Sequence, residues 1–135
     1  VLDEDYLALS ERIRPSPQFN QLPVEFRELG PSYRAADEKG AARWLALAKQ
    51  GRVVPKAIAG AANAEVTWAK LTALKLPTLL LTGDADLYTP PSILRMFAAR
   101  MPHAESAIIA ECGHSCFWES ADAFNAKVLA FLRKH

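Results

Sequence analysis

The sequence is short of cysteine, has no long apolar run and carries no excess of charge of either sign. Each shortage removes a class of protein. Two cysteines in 135 residues cannot build a disulfide framework. No apolar run approaches the roughly 20 residues that a bilayer-spanning helix needs. The start Val1-Leu2-Asp3-Glu4-Asp5 lacks the basic and apolar regions of a secretory signal. Neither membrane nor export is expected, and a reduced, cytoplasmic setting is the default. The 16 Lys and Arg nearly balance the 15 Asp and Glu, for a net charge of +1. They are mixed along the chain, with no basic stripe to neutralise phosphates, so nucleic acid is not an expected partner. Internal repeats and low-complexity tracts are also missing.

What is present is enough apolar side chain, 50% of residues, to bury a core without metal or disulfide staples. The two halves have different textures. In the first, Asp3 to Arg14 places Tyr6, Leu9 and Ile13 on one helical face, with acids in its first turn and arginines in its last. Pro15 and Pro17 stop it. Residues 15–36 read as loop or short helical turns. Asp37 is placed to cap a helix running to Gln50, and an Ala-rich helical stretch follows, from about Ala57 to Leu71.

The second half changes period. After Pro77, T-L-L-L-T is a continuous apolar run that suits a strand buried on both faces, as in a parallel sheet. Pro90 and Pro91 open a helix carrying Leu94, Phe97, Ala98 and Met101. S-A-I-I-A is a second short strand, followed by C-G-H-S-C, Cys112 to Cys116. A last helix from Ser120 to about Arg133 sets Phe124, Val128, Phe131 and Leu132 along one side. Strand, helix, strand, helix is a parallel crossover with a covering helix, which makes this an α/β protein.

In such sheets functional groups gather beyond the carboxyl ends of the strands. One end offers Asp84 and Asp86, the other His114. A parallel crossover sets those ends side by side, so an Asp–His hydrogen bond can form. A carboxylate on one imidazole nitrogen leaves the other free to take a proton from a nucleophile.

L-P-T-L-L-L-T-G-D-A-D-L-Y-T-P, followed by A-E-S-A-I-I-A-E-C-G-H-S, resembles the C-terminal third of α/β-hydrolase fold enzymes, over about residues 70–135. The resemblance implies an incomplete α/β-hydrolase fold. Residues 1–70 stand where that family inserts a helical lid, and 71–135 form the C-terminal βαβα portion of the core. It further implies Asp86 as the triad acid and His114 as its base, with Asp84 bonding the turn's own backbone. The implied activity is hydrolysis of an ester, amide or related bond in a small, fairly apolar substrate, without cofactor or metal. The family also holds dehalogenases, epoxide hydrolases, C–C bond hydrolases and cofactor-free peroxidases, which the nucleophile would separate.

That nucleophile is what the sequence does not show. Gly30-Pro31-Ser32-Tyr33-Arg34 has the first glycine of a G-x-S-x-G elbow but not the second, and it lies in a proline-rich loop. With Val1 in place of an initiator Met, the expectation is a processed chain or a piece of a longer hydrolase, inactive alone. In that form the outer edge of the 78–82 strand is expected to be bare, favouring self-association. The rival reading is a non-catalytic hydrolase-like module that binds a ligand or partner. An elbow Ser upstream would favour the enzyme, and Gly or Ala in its place the binder.

Several residues also have plainer readings. Cys112, His114 and Cys116 lack the second ligand pair of a zinc site, and the cysteines read as small apolar side chains. Tyr88 and Trp118, each close after a proposed catalytic residue, are candidates to line a substrate pocket, as are Trp44 and Tyr33. Aromatics at helical spacing are more often core. Glu119 and Asp122 read as partners of the last helix's dipole.

Overall fold

A computed structural model of the protein describes residues 3–51 and 65–135. The chain opens with α1 (Glu4–Ile13), a 3-10 turn over Pro17–Gln21, α2 (Val24–Glu28), α3 (Pro31–Ala36) and α4 (Glu38–Gly51). After α5 (Trp68–Thr72) come β1 (Thr78–Gly83), α6 (Pro91–Arg100), β2 (Ala104–Ile109), α7 (Cys116–Glu119) and α8 (Ala121–Lys134). Within the expected Ala-rich helix, residues 57–64 lie outside the described residues.

Local chemistry explains most boundaries. Asp37 caps α4, its Oδ1 accepting the Gly40 N–H at 2.8 Å. Pro91 starts α6 at the position where a missing N–H costs nothing. The strands pair in parallel, from Thr78 opposite Ala104 to Gly83 opposite Ile109. This register brings both strands to an end at the same level, which places their two following loops together.

The core is concentrated at that end. Ile109, Cys112 and Cys116 form a buried cluster closed by Leu81 and Phe124. Both cysteines are free thiols. Burial pushes the Cys112 thiol up to about 11, with Glu119 and Cys116 adding to the effect. They serve as packing groups in this cluster.

Two expectations about burial change. The apolar run of β1 is half-buried from Thr78 to Leu81 and fully buried only at Thr82 and Gly83. The sheet has two strands among the described residues, so one edge of β1 has no strand beside it. On α8, Phe124, Val128 and Phe131 are half-buried, but Leu132 is 62% exposed. At 100° per residue, Leu132 lies about 80° around the helix from Phe124, outside the contact stripe.

A second, aromatic contact joins the helical first half to the sheet half. Trp68 packs edge-on against Phe97 with centroids 5.0 Å apart, and Tyr6 of α1 contacts Trp68 and Phe97 at 6.1 and 5.7 Å. The Trp68 indole N–H donates to Asp5 at 2.7 Å and its backbone N–H to Asp3 at 2.6 Å. Arg100 lies over the indole at 4.7 Å and pairs with Asp5. Trp68 is therefore a packing residue, and the acids read as a helix start also make tertiary bonds.

Candidate active site

Asp84, just beyond β1, laces the two strand ends together. Its N–H donates to the Ile109 carbonyl at 3.0 Å, and its Oδ1 accepts the Cys112 N–H at 3.2 Å. The Ala85 N–H donates to the Cys112 carbonyl at 2.8 Å. Asp84 thus bonds the neighbouring loop and not, as expected from the resemblance, its own turn. The separation of 28 positions hid that partner from local reasoning.

Asp86 is 4% exposed and aims its carboxylate inward. Oδ1 accepts the N–H groups of Tyr88 at 2.7 Å and Thr89 at 2.9 Å. Oδ2 accepts the Thr89 hydroxyl at 2.9 Å and lies 2.9 Å from His114 Nδ1. The Thr82 hydroxyl stands 3.1 Å from the same oxygen and 2.8 Å from the Thr89 carbonyl, and its single proton serves one of them at a time. Burial alone would favour the protonated acid. The bonds from His114 and from Thr89 and Tyr88 outweigh it and hold the carboxyl well below its usual range.

The same bond decides the state of His114. Its hydrogen bond to Asp86 raises the imidazole above its ordinary value against the opposing effect of burial, and Asp86, Glu28 and Glu119 add charge in the same direction. Nδ1 facing a carboxylate carries the proton in the neutral ring, which leaves Nε2 as the acceptor. The side chain is 42% exposed, so the imidazole can be reached from outside.

Tyr88 covers the histidine, with ring centroids 4.8 Å apart and planes tilted by 51°. Its other neighbour is Phe19, edge-on at 5.4 Å, and its hydroxyl lies 3.3 Å from Arg27 Nη1. Tyr88 also lines an open cleft of about 780 Å³ with Glu11, Arg14, Phe19 and Asn20. The other three aromatic candidates lie elsewhere. The Trp118 indole N–H donates to the Tyr33 hydroxyl at 2.9 Å, while Trp44 sits half-buried on α4. Among the described residues no group of three His, Cys, Asp or Glu side chains is arranged to hold a metal ion. No helix there is long and apolar enough to cross a membrane.

One contributor has partners that the sequence did not show. Glu119 directly precedes the cap of the last helix. It ends α7 and accepts backbone N–H groups from Gly30 at 2.7 Å and Gly113 at 3.0 Å. The Gly before His114 was visible in sequence, but its contact with Gly30 was not. Glu111, two residues before Gly113, has a φ of 60°, and its carboxylate takes the Ser32 hydroxyl. Ser32, the only serine in the partial elbow, is thus engaged away from His114.

A parallel crossover with a buried Asp after one strand and a reachable His after the next matches the C-terminal end of the α/β-hydrolase fold. Comparison with known proteins gives the same result. Over 65 residues, 48% of the chain, it is 35% identical to a 2-hydroxy-6-oxononadienedioate/2-hydroxy-6-oxononatrienedioate hydrolase of Burkholderia vietnamiensis. It is 42% identical, also over 65 residues, to the enzyme of the same name from a Pseudomonas species. The solved structure of a thermophilic esterase from Thermogutta terrifontis, malate bound, superimposes on 97% of the chain with a TM-score of 0.70 and 25% identity. No family model matches. The matches cover 23% of each of the two hydrolases and 49% of the esterase, so the chain spans at most about half of the proteins it resembles. Its fold is that of the C-terminal part of an α/β-hydrolase.

Proposed function

We propose that the chain supplies the acid–base half of a hydrolase that cleaves an ester, amide or related bond in a small, fairly apolar molecule. The observation that carries this reading is the 2.9 Å contact between Asp86 Oδ2 and His114 Nδ1, with the Asp buried and the imidazole reachable. Nε2 takes the proton of a nucleophile as it attacks a carbonyl carbon, then returns it to the leaving group. Asp86 holds the tautomer and stabilises the imidazolium that forms between those steps. The relatives' names fit such chemistry, since an ester and a 6-oxo acid both offer a carbonyl carbon to attack.

The nucleophile and the oxyanion donors come, in this reading, from a part of the fold outside this chain, with residues 1–70 assigned to the lid. Alone, the chain is expected to be inactive, because oxyanion stabilisation is commonly the largest single contribution to the rate. The cleft beside Tyr88 is the proposed substrate entrance. The test is hydrolysis of an activated ester by a protein joining this chain to the upstream half of the fold. His114→Gln is expected to lower kcat by at least about 10³-fold. Unchanged turnover would sink the triad assignment.

Produced by itself, the chain is expected to associate through β1. Among the described residues no strand pairs with the outer edge of β1, which leaves backbone N–H and C=O groups for a second copy to pair. An apolar cleft of about 190 Å³ beside it, lined by Leu80, Leu81, Ile93 and Phe97, adds surface to bury. Sedimentation should show a mass that rises with concentration, and Leu80→Lys should return it towards the monomer. A monomer at every concentration would refute the pairing.

A further inference from the structure

The backbone N–H groups of both residues flanking His114 are tied to residues outside its own loop. On one side the Gly113 N–H faces both Glu119 oxygens at 3.0 Å, and Glu119 Oε2 also takes the Gly30 N–H at 2.7 Å. On the other side the Ser115 N–H donates to the Glu28 carbonyl at 3.0 Å, at the end of α2. The backbones of Gly30 and Gly113 touch. A Cβ on Gly113 would lie 2.5 Å from the Gly30 nitrogen, and one on Gly30 would lie 2.8 Å from the Gly113 nitrogen. Only glycine at both positions allows this approach, and only an acceptor between them satisfies two N–H groups that point the same way.

We infer that Glu119 is a positioning residue for His114: its carboxylate clamps the Gly113 peptide to Gly30, and through that peptide fixes the imidazole on Asp86. This rests on His114 being the base. An imidazole whose Cα shifts by about 1 Å loses its aligned bond to a buried, immobile carboxylate, and misplacements of that size cost on the order of 10²-fold in rate. Glutamine has the same shape but cannot do the same work. It offers one acceptor oxygen, and its NH₂ would face a peptide N–H.

The charged and titratable groups around the imidazole are Asp86 from the β1–α6 turn, Glu28 from α2, Glu119 from α7 and Tyr88, with Arg27 behind the Tyr88 hydroxyl. Removing one of the three carboxylates lowers the pH at which His114 loses its proton.

In the protein joined to the upstream half of the fold, Glu119→Gln is expected to reduce kcat for an activated ester about 10- to 100-fold. KM should stay within about threefold, because no substrate contact is removed. The acid limb of kcat/KM should move to lower pH. Glu119→Asp keeps the charge on a shorter arm and is expected to fall between the two in kcat, with the acid limb nearly in place. An NMR titration of the 135-residue chain follows His114 directly, with His103 and His135 as internal controls, and does not depend on activity. If His114→Gln abolishes turnover while Glu119→Gln leaves kcat and the acid limb as they were, the clamp is overturned and the triad stands. If His114→Gln has no effect, the triad reading fails, and an unchanged His114 titration in Glu119→Gln would overturn the clamp as well. Should Glu119→Gln not fold, wild-type kcat in Glu119→Asp overturns it.

Discussion

Replacing Asp86 with Asn is expected to lower kcat of the protein joined to the upstream half of the fold by about 10³- to 10⁴-fold while changing KM little. The amide can keep a hydrogen bond to the imidazole, but it can equally donate to Nδ1. That would fix the tautomer whose Nε2 carries the proton and cannot act as base. The neighbouring N–H groups sharpen the effect. Tyr88 and Thr89 both donate to Oδ1, so in Asp86→Asn the side-chain oxygen is drawn to them and the NH₂ is left facing His114. Steady-state kinetics in the full protein give the measurement, and retention of more than about a tenth of kcat would reject the orienting role.

The same variant has a signature in stability. His114 is raised in the folded chain above its ordinary 6.5, so its contribution is complete below about pH 6.5 and disappears as pH rises through the folded value. Asp86 is depressed below its ordinary 3.8, so its contribution is present above about pH 4 and is lost as pH falls through the folded value. The pair therefore stabilises most between about pH 4 and 6.5. The stability difference between Asp86→Asn and the parent chain should be largest in that window and shrink above it. A difference independent of pH would mean that lost packing, and not the ion pair, dominates.

Trp68→Ala carries the largest expected effect on the fold. The indole contacts Tyr6, Phe97 and Arg100 and donates to Asp5, and together these tie α1 and α5 to α6. Full burial of such a side chain makes truncation cost about 3–5 kcal/mol; Trp68 is half-buried, so about 2–4 kcal/mol is expected. Thermal unfolding followed by far-UV circular dichroism should show a Tm lower by roughly 10 °C. Limited proteolysis should cut first near α1. An unchanged Tm would mean that α1 is held by something other than this cluster.

The parts of the fold that were legible are those written in short-range patterns. The continuous run Leu79-Leu80-Leu81 between Pro77 and Gly83 marks a strand of a parallel sheet, and the prolines at 90 and 91 mark a helix start, because both signals depend on a few neighbouring residues. The position of Asp86 and His114 beyond two strand ends follows from the same order of elements. Other features were less legible. The 3-10 turn at Pro17–Gln21 and the short α2, α3 and α7 carry few residues each, too few for a period to register. Burial of β1 was overestimated because an apolar run reports what a strand is suited to, and not which neighbours the chain supplies.

The sequence by itself therefore determined the order of elements, the parallel crossover and the pair of side chains at its end. Those depend on periodicity, proline and the alternation of strand and helix. Only the tertiary structure decided where Asp84 finds its partner, and that Glu119 reaches back to Gly30 and Gly113. These are contacts between residues from 6 to 89 positions apart. Their geometry is set by how separate elements pack, which no local pattern records.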